Sequence, residues 1–380
     1  MAVTIPPITR RDALKLLSLG GGAWILVACN AVEPTAAPAT PVPATPQPTG
    51  VDESAHVAGL EQTQEAQLTA LPEIRGLKDL PDDFMAGRLT PLDDFYVQNS
   101  NGTASLDPLQ WRLSLNGMFD APAEISLSEL KRYPAFEGMR TLECIGNPVG
   151  GTLIGNTTWK GTSLAALLKE KGLQPGANYI LFLSEDGYET SVPVALALDE
   201  RSLLVYEMDD QALTISHGFP VRVLLPGVYG QKQPKWVVSI RAADRDKLGL
   251  WEKKGWSNEA TIRVNSRIET PKLRQTLPAG VPFHLTGIAL SDYSGIQSVE
   301  VSIDDGITWV PAELFPGPDN GVWTLWHWLW ADPQPGKYVV IARAMDGNGV
   351  AQTASGTFGV LDNVFPNGSS LMHNLSITVV

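Results

Sequence analysis

The chain has 380 residues, 43% hydrophobic and 18% charged, an ordinary soluble composition with room for about two or three domains. A formal net charge of −13 and a pI near 4.9 argue against the basic face of a nucleic-acid binder, so no nucleic acid is expected as a partner. An anionic small molecule would need a local basic pocket inside this acidic shell.

Residues 1–28 read as an export signal. Arg10 and Arg11 precede an apolar run, Leu16 to Ala28, that is shorter than the about 20 residues a bilayer takes and suits a signal h-region. The paired arginines resemble a twin-arginine signal. The run ends in LVAC, which places Cys29 where a lipoprotein signal is cut and the thiol lipidated. The expected product is exported by the twin-arginine route and held outside the cytoplasm, on the membrane, by a lipid anchor at Cys29. That route carries folded proteins, which hints at a cofactor inserted before export. Residues 29–80 follow as a disordered tether, since 30–50 hold six prolines and no aromatic. One short helix is expected near Glu61–Leu71.

The folded body is expected from Pro81. WRLSLNG (Trp111–Gly117) alternates apolar residues on one face and predicts a strand. Ser126 and Glu129 stand at capping-box spacing before a short helix. TLEC predicts a strand entering the IGNPVGG loop. Leu164, Leu167 and Leu168 share a helical face that stops at Gly172. YILFLS and YETSVPV flank Glu185-Asp186-Gly187, a hairpin signal. SLLVYEM and ALTIS flank Asp209-Asp210, and VRVLLPG and KWVVSIRA predict further strands. Beyond RIETP (Arg267–Pro271) helix signals almost vanish. VEVSIDDGITWVPAEL predicts a hairpin turning at Asp305-Gly306, and VWTLWHWLW, KYVVIARAMDGNG and HNLSITVV predict strands. Short strands at regular spacing suggest an immunoglobulin-like sandwich.

Chemistry is first narrowed by what is missing. No HExxH, CxxC or CxxCH occurs, so neither a zinc motif nor covalently attached haem is encoded. No Walker-type loop, well-placed GxGxxG or nucleophile elbow appears. The five histidines, at 56, 217, 284, 327 and 373, form no metal-ligand spacing. With Cys29 taken by lipid, Cys144 has no partner, and no disulfide is expected in the mature chain. Most free cysteines are small buried hydrophobes. A soft thiolate in a Gly-Asn-Pro loop also suits a metal. The residues alone leave both open.

The ECIGN loop around Cys144, FYVQN at 95–99, WKGTSLAALL, LLVYEMDDQAL, HGFPVRVLLPG (His217–Gly227) followed by QPKW, then VEVSIDDGITW and VWTLWHWLW occur in one order. In these motifs the chain resembles the sulfite oxidase family of molybdopterin-dependent oxidoreductases, over essentially 81–380. The resemblance implies an α+β molybdopterin-binding domain at 81–265, with sulfite oxidase-like mixed sheets and short helices. It implies an all-β immunoglobulin-like dimerisation domain at 266–380, and so a homodimer. It implies oxygen-atom transfer at a molybdenum ligated by Cys144. Phe95, Tyr96, Val97, Gln98, Asn99, Asp186, His217, Arg222, Gln233, Pro234 and Lys235 match the family's cofactor-contacting positions. The implied partners are a small-molecule substrate and a separate extracytoplasmic electron carrier, with no fused haem domain.

The chain departs from sulfite-oxidising members where they hold a doubly charged anion. Gln98, and Pro148-Val149, stand where the family has arginines. No Lys or Arg follows Arg343. The family's active-site tyrosine falls in a segment that here reads WEKKGW, where Lys253 or Lys254 is the replacement charge to look for. The expected substrate is therefore a less charged oxo compound, such as a sulfoxide, rather than sulfite. A non-catalytic surface binding lipoprotein that keeps the fold is the alternative the missing arginines motivate.

Overall fold

The computed structural model describes residues 80–354 and 363–380. The export signal, most of the tether and the helix expected near Glu61–Leu71 lie outside the described residues. Alternation places Leu113 and Leu115 of β1 (Arg112–Gly117) inside, and β2 (Ala123–Ser126) pairs with it. The expected capping box forms: the Glu129 amide donates to Ser126 Oγ at 3.2 Å and the Ser126 amide to Glu129 Oε2 at 2.9 Å. It starts α1 (Leu127–Leu130). Next come β3 (Ala135–Glu143), β4 (Ile154–Ser163) and α2 (Leu164–Lys171), whose buried leucines are those of the predicted face. Gly172 ends α2 at φ +68°, a backbone that side chains resist.

β5 (Tyr179–Ser184) and β6 (Glu189–Pro193) form the expected hairpin, and β6 runs into α3 (Val194–Ala197). β7 (Leu203–Met208) turns at Asp209 and Asp210, both at positive φ, into β8 (Gln211–Ala212). The strand expected through ALTIS stops there. Leu213 turns into the core, and Ile215–His217 forms a 3₁₀ turn. β9 (Arg222–Leu224) and β10 (Val237–Ala243) complete this half. The strands make a mixed sheet, β2-β1-β10-β5-β6, with β1 and β10 parallel, and an antiparallel sheet, β3-β4-β7-β8, with β9 also on β7.

From β11 (Asn265–Thr270) onward the described residues hold no α-helix. β12 (Thr276–Leu277), β13 (Phe283–Leu290), β14 (Ile296–Ser302), β15 (Val310–Pro311), β16 (Glu313–Phe315), β17 (Thr324–Trp330), β18 (Gly336–Asp346) and β19 (His373–Val379) follow. They make two sheets, β11-β13-β17-β16 and β12-β19-β18-β14-β15, closed over one apolar core in the manner of an immunoglobulin sandwich. Trp326 is fully buried there and donates its indole N–H to Ile288 O at 3.1 Å.

Trp323 does something else. It packs with Phe84, Ile145 and Tyr229 of the first half, in an apolar cluster that also takes Ile288 and Leu325 of the sandwich. Polar ties line the same seam. Arg88 donates to Trp323 O at 2.8 Å and to Phe315 O at 2.7 Å, and the Trp323 amide donates to Thr141 Oγ1 at 2.9 Å. Buried cations fastened to carbonyls satisfy donors that would otherwise be costly to desolvate. The seam therefore fixes the end of β3, from which the Cys144 loop departs.

Candidate functional site

β3 delivers the chain into a loop that closes on itself. The Cys144 amide donates to Leu153 O at 2.9 Å, and the Asn147 amide to Cys144 O at 2.9 Å. Asn147 braces the interior: its Nδ2 donates to Glu143 Oε1 at 2.9 Å and its Oδ1 accepts from the Leu153 amide at 2.9 Å. Glu143 Oε2 accepts from Asn265 at 3.1 Å. Burial pushes the Glu143 carboxyl up to about 7 against these two amide donors. Burial also raises the Cys144 thiol, while the Gly146 N–H opposes the rise. Such a thiol stays protonated unless a metal takes the proton's place.

The loop forms one wall of a cavity of about 290 Å³. Tyr96, Gln98, Asn99, Asp186, His217, Arg222, Gln233, Pro234 and Lys235 line it together with Cys144, from segments far apart in sequence. Two of the expected side chains do not line it. Phe95 is buried behind the wall, stacked on Tyr96 and edge-on to Trp159 and His217. Val97 points outward and is 45% exposed, because an extended strip alternates its sides.

Each basic side chain on the wall has a definite setting. The His217 Nδ1 is within hydrogen-bond distance of Thr214 Oγ1 (3.1 Å) and Ser216 Oγ (3.2 Å). Its Nε2 is buried without a partner. Burial first, then Arg222 and Lys235, push the imidazole down to about 4, so it is neutral near pH 7. Arg222 opens β9, donates to His217 O at 3.2 Å and lies over Trp159. Its Nε is also buried and unpaired, and burial lowers the group to about 10. Lys235 donates to Asn99 Oδ1 and, at 2.9 Å, to Ser216 O. Burial and then Arg222 bring it down to about 7. Gln233 is spent on shape: it accepts from the Leu225 amide and donates to Val228 O, which ties the segment entering Lys235 back to the turn after β9. Asp186 takes the Tyr188 amide at 3.0 Å in the β5–β6 turn.

Sequence reasoning missed Tyr188, Trp251 and Trp256, which also line the cavity. Tyr188 follows the Glu-Asp-Gly turn, and its hydroxyl donates to Gln231 O at 2.6 Å. The two tryptophans bracket WEKKGW, and their own pattern was the available signal. Neither lysine between them lines the cavity. Lys253 pairs with Glu189 at 3.2 Å, and Lys254 lies over the Trp251 ring at 4.7 Å from its centroid. Glu252 turns inward instead and meets Lys232 at 2.6 Å, both side chains almost fully buried. Pro148 and Val149 border a separate small crevice beside Asn265 and Ser369, away from the cavity.

The family described as "Oxidoreductase molybdopterin binding domain" matches residues 100–251. The mitochondrial sulfite oxidase of Drosophila melanogaster is 29% identical over 285 residues, 62% of this chain and 50% of that protein. The chain thus spans about half the length of that relative. The uncharacterized oxidoreductase YuiH of Bacillus subtilis (strain 168) is 30% identical over 161 residues, 42% of this chain and 79% of that protein. Among solved structures, the sulfane dehydrogenase SoxCD of Paracoccus pantotrophus superposes with a TM-score of 0.65 at 20% identity, over 86% of this chain and 95% of that one, a likeness of fold.

Proposed function

The chain belongs to the sulfite oxidase family of molybdopterin-binding oxidoreductases, and from that membership we propose an exported, lipid-anchored enzyme that transfers an oxygen atom at a cysteine-ligated molybdenum, on a substrate other than sulfite. One observation carries the reading. Arg222 Nε and His217 Nε2 are buried without partners on the wall of the cavity that holds the Cys144 thiol. Buried unpaired polar atoms are costly; an anionic group satisfies the Arg222 N–H, and the imidazole too in the tautomer that carries its proton on Nε2.

The residues fit the molybdenum cofactor. Cys144 supplies one soft ligand. Arg222, Lys235 and neutral His217 supply donors for the anionic tail of the pterin. When bound, the cofactor supplies a metal centre that exchanges an oxygen atom and two electrons with the substrate. The chain's own contribution is to bind and orient. The Asn147 brace fixes the thiol, Gln233 fixes the Lys235 segment, and Trp251 and Trp256 give the cavity an apolar lining. The electrons pass to or from a separate extracytoplasmic carrier, and the sandwich pairs two copies into a dimer.

The substrate follows from charge. Beyond Arg222 and Lys235 no Lys or Arg among the described residues lines the cavity. Each charged hydrogen bond to an oxyanion is worth about 1.5–3 kcal/mol, so a doubly charged anion loses orders of magnitude in binding without further arginines. A neutral oxo compound, such as a sulfoxide, matches what remains. The test is metal analysis and turnover of protein made in a host that synthesises the cofactor. Near-stoichiometric molybdenum is expected, with sulfoxide turnover exceeding sulfite turnover and Cys144→Ser inactive with its circular dichroism unchanged. Protein free of molybdenum, or inert with every oxo substrate and artificial electron donor, sinks the reading.

A further inference from the structure

We propose that the substrate carries an apolar substituent of about aryl size, and that Phe365, contributed by the segment before β19, sets this specificity by bracing Trp256 against it. This rests on the reading above and names the substrate class within it.

The observation is a short apolar line running outward from the thiol. A methyl group built on Gly146 would lie 3.8 Å from Cys144 Sγ and 4.0 Å from Trp256 Cη2. The sulfur and the indole edge therefore face each other across a single glycine. On its other side Trp256 meets the Phe365 ring edge-on, at 5.2 Å between centroids and 81° between planes. Two backbone bonds hold the contact: the Ser257 amide donates to Pro366 O at 3.0 Å, and the Trp256 amide to Trp251 O at 3.1 Å. Phe365 is 48% exposed, an aromatic residue left open beside the cavity.

The chemistry of this side is mainly apolar. Ile145, Leu153, Trp251 and Trp256 line it, its nearby polar groups are tied (the Trp251 indole N–H donates to Ser100 Oγ at 3.0 Å and Gln231 Nε2 to Ser257 O at 2.6 Å), and neither lysine of the WEKKGW turn lines the cavity. An anion entering here would lose its water without gaining a partner. An aryl or branched alkyl group gains contact with the indole face and displaces poorly held water. The oxo group of the same molecule then faces the thiol side. Phe365 touches Trp256 and acts through it, so it is a positioning residue.

The experiment uses the molybdenum-loaded full chain. Specificity constants are measured for dimethyl sulfoxide and methyl phenyl sulfoxide, and calorimetry follows binding of methyl phenyl sulfone, an inert analogue. The wild type is expected to favour the aryl sulfoxide by about tenfold or more, the order of discrimination an apolar pocket gives. Phe365→Ala is expected to collapse that ratio by about tenfold and to weaken the sulfone to the same degree, while Phe365→Tyr restores both. Gly146→Ala, which keeps the amide and fills the gap, is expected to disfavour the aryl substrate selectively. Absence of aryl preference in the wild type, or an equal loss on both sulfoxides in Phe365→Ala, overturns the inference. If no sulfoxide turns over, the proposed function fails, and sulfone binding decides this inference separately: unchanged affinity in Phe365→Ala, or none in the wild type, overturns it.

Discussion

The two sides of the cavity differ in kind. The side built from His217, Arg222 and Lys235 buries cationic or polar groups and leaves two of their nitrogens unpaired. The side built from Ile145, Leu153, Trp251 and Trp256 is aromatic and aliphatic, and neither nearby lysine lines it. A charged wall suits a ligand that stays bound, because desolvating cations is repaid only by a permanent counter-charge. An apolar wall suits a ligand that comes and goes, since it discriminates by shape without holding a charge. On the reading proposed above, the cofactor is held by one wall and the substrate is chosen by the other.

The largest effect is expected where the two sides are joined. Lys232 belongs to the segment leading to Lys235, and Glu252 lies between the two tryptophans. Lys232→Met leaves Glu252 buried and unpaired, and breaking such a pair costs about 3–5 kcal/mol. Chemical denaturation is expected to show that loss, and Lys232→Met with Glu252→Leu to recover most of it. Equal stability of the single variant and the wild type would separate the two walls energetically.

A smaller effect distinguishes the charged wall alone. Lys235 sits at about 7 in the folded chain, against about 10.4 when unfolded. The unfolded chain then binds more protons between these values, so the cofactor-free protein gains stability as pH rises from about 7 to about 10. Denaturation midpoints across that range are expected to rise, and Lys235→Met, or loading with the anionic cofactor, to flatten the rise. A rise of equal slope in Lys235→Met would remove Lys235 from the account.

The smallest effect belongs outside. Lys253→Ala and Lys254→Ala are expected to leave the KM for a neutral sulfoxide unchanged, since neither side chain lines the cavity. A marked change in KM for either variant would return charge to the apolar wall.

Much of this was legible beforehand. Alternation predicts β1 and β14, turn signals frame β5 and β18, and the Ser126–Glu129 spacing predicts its helix, because these signals are local. The cysteine loop and the strip at 95–99 were legible as spaced motifs. The orientation within those motifs was not. Phe95 and Val97 look as eligible as Tyr96 in sequence, yet one packs under His217 and the other faces solvent. Lys232 and Lys235 are equally eligible in QKQPKW, and only the burial of Glu252 decides that the first turns away from the cavity.

The sequence by itself determined the family and the placing of Cys144 in its Gly-Asn-Pro loop, since each is a matter of which residue stands at which place in a motif. Tertiary structure decided which side chains share a cavity, that two tryptophans rather than two lysines line the WEKKGW side, and that Phe365 reaches Trp256 from more than a hundred residues away. Those outcomes depend on burial and on pairing between distant segments. A charge turns inward only where a partner already waits, and the partner's position is a property of the folded chain.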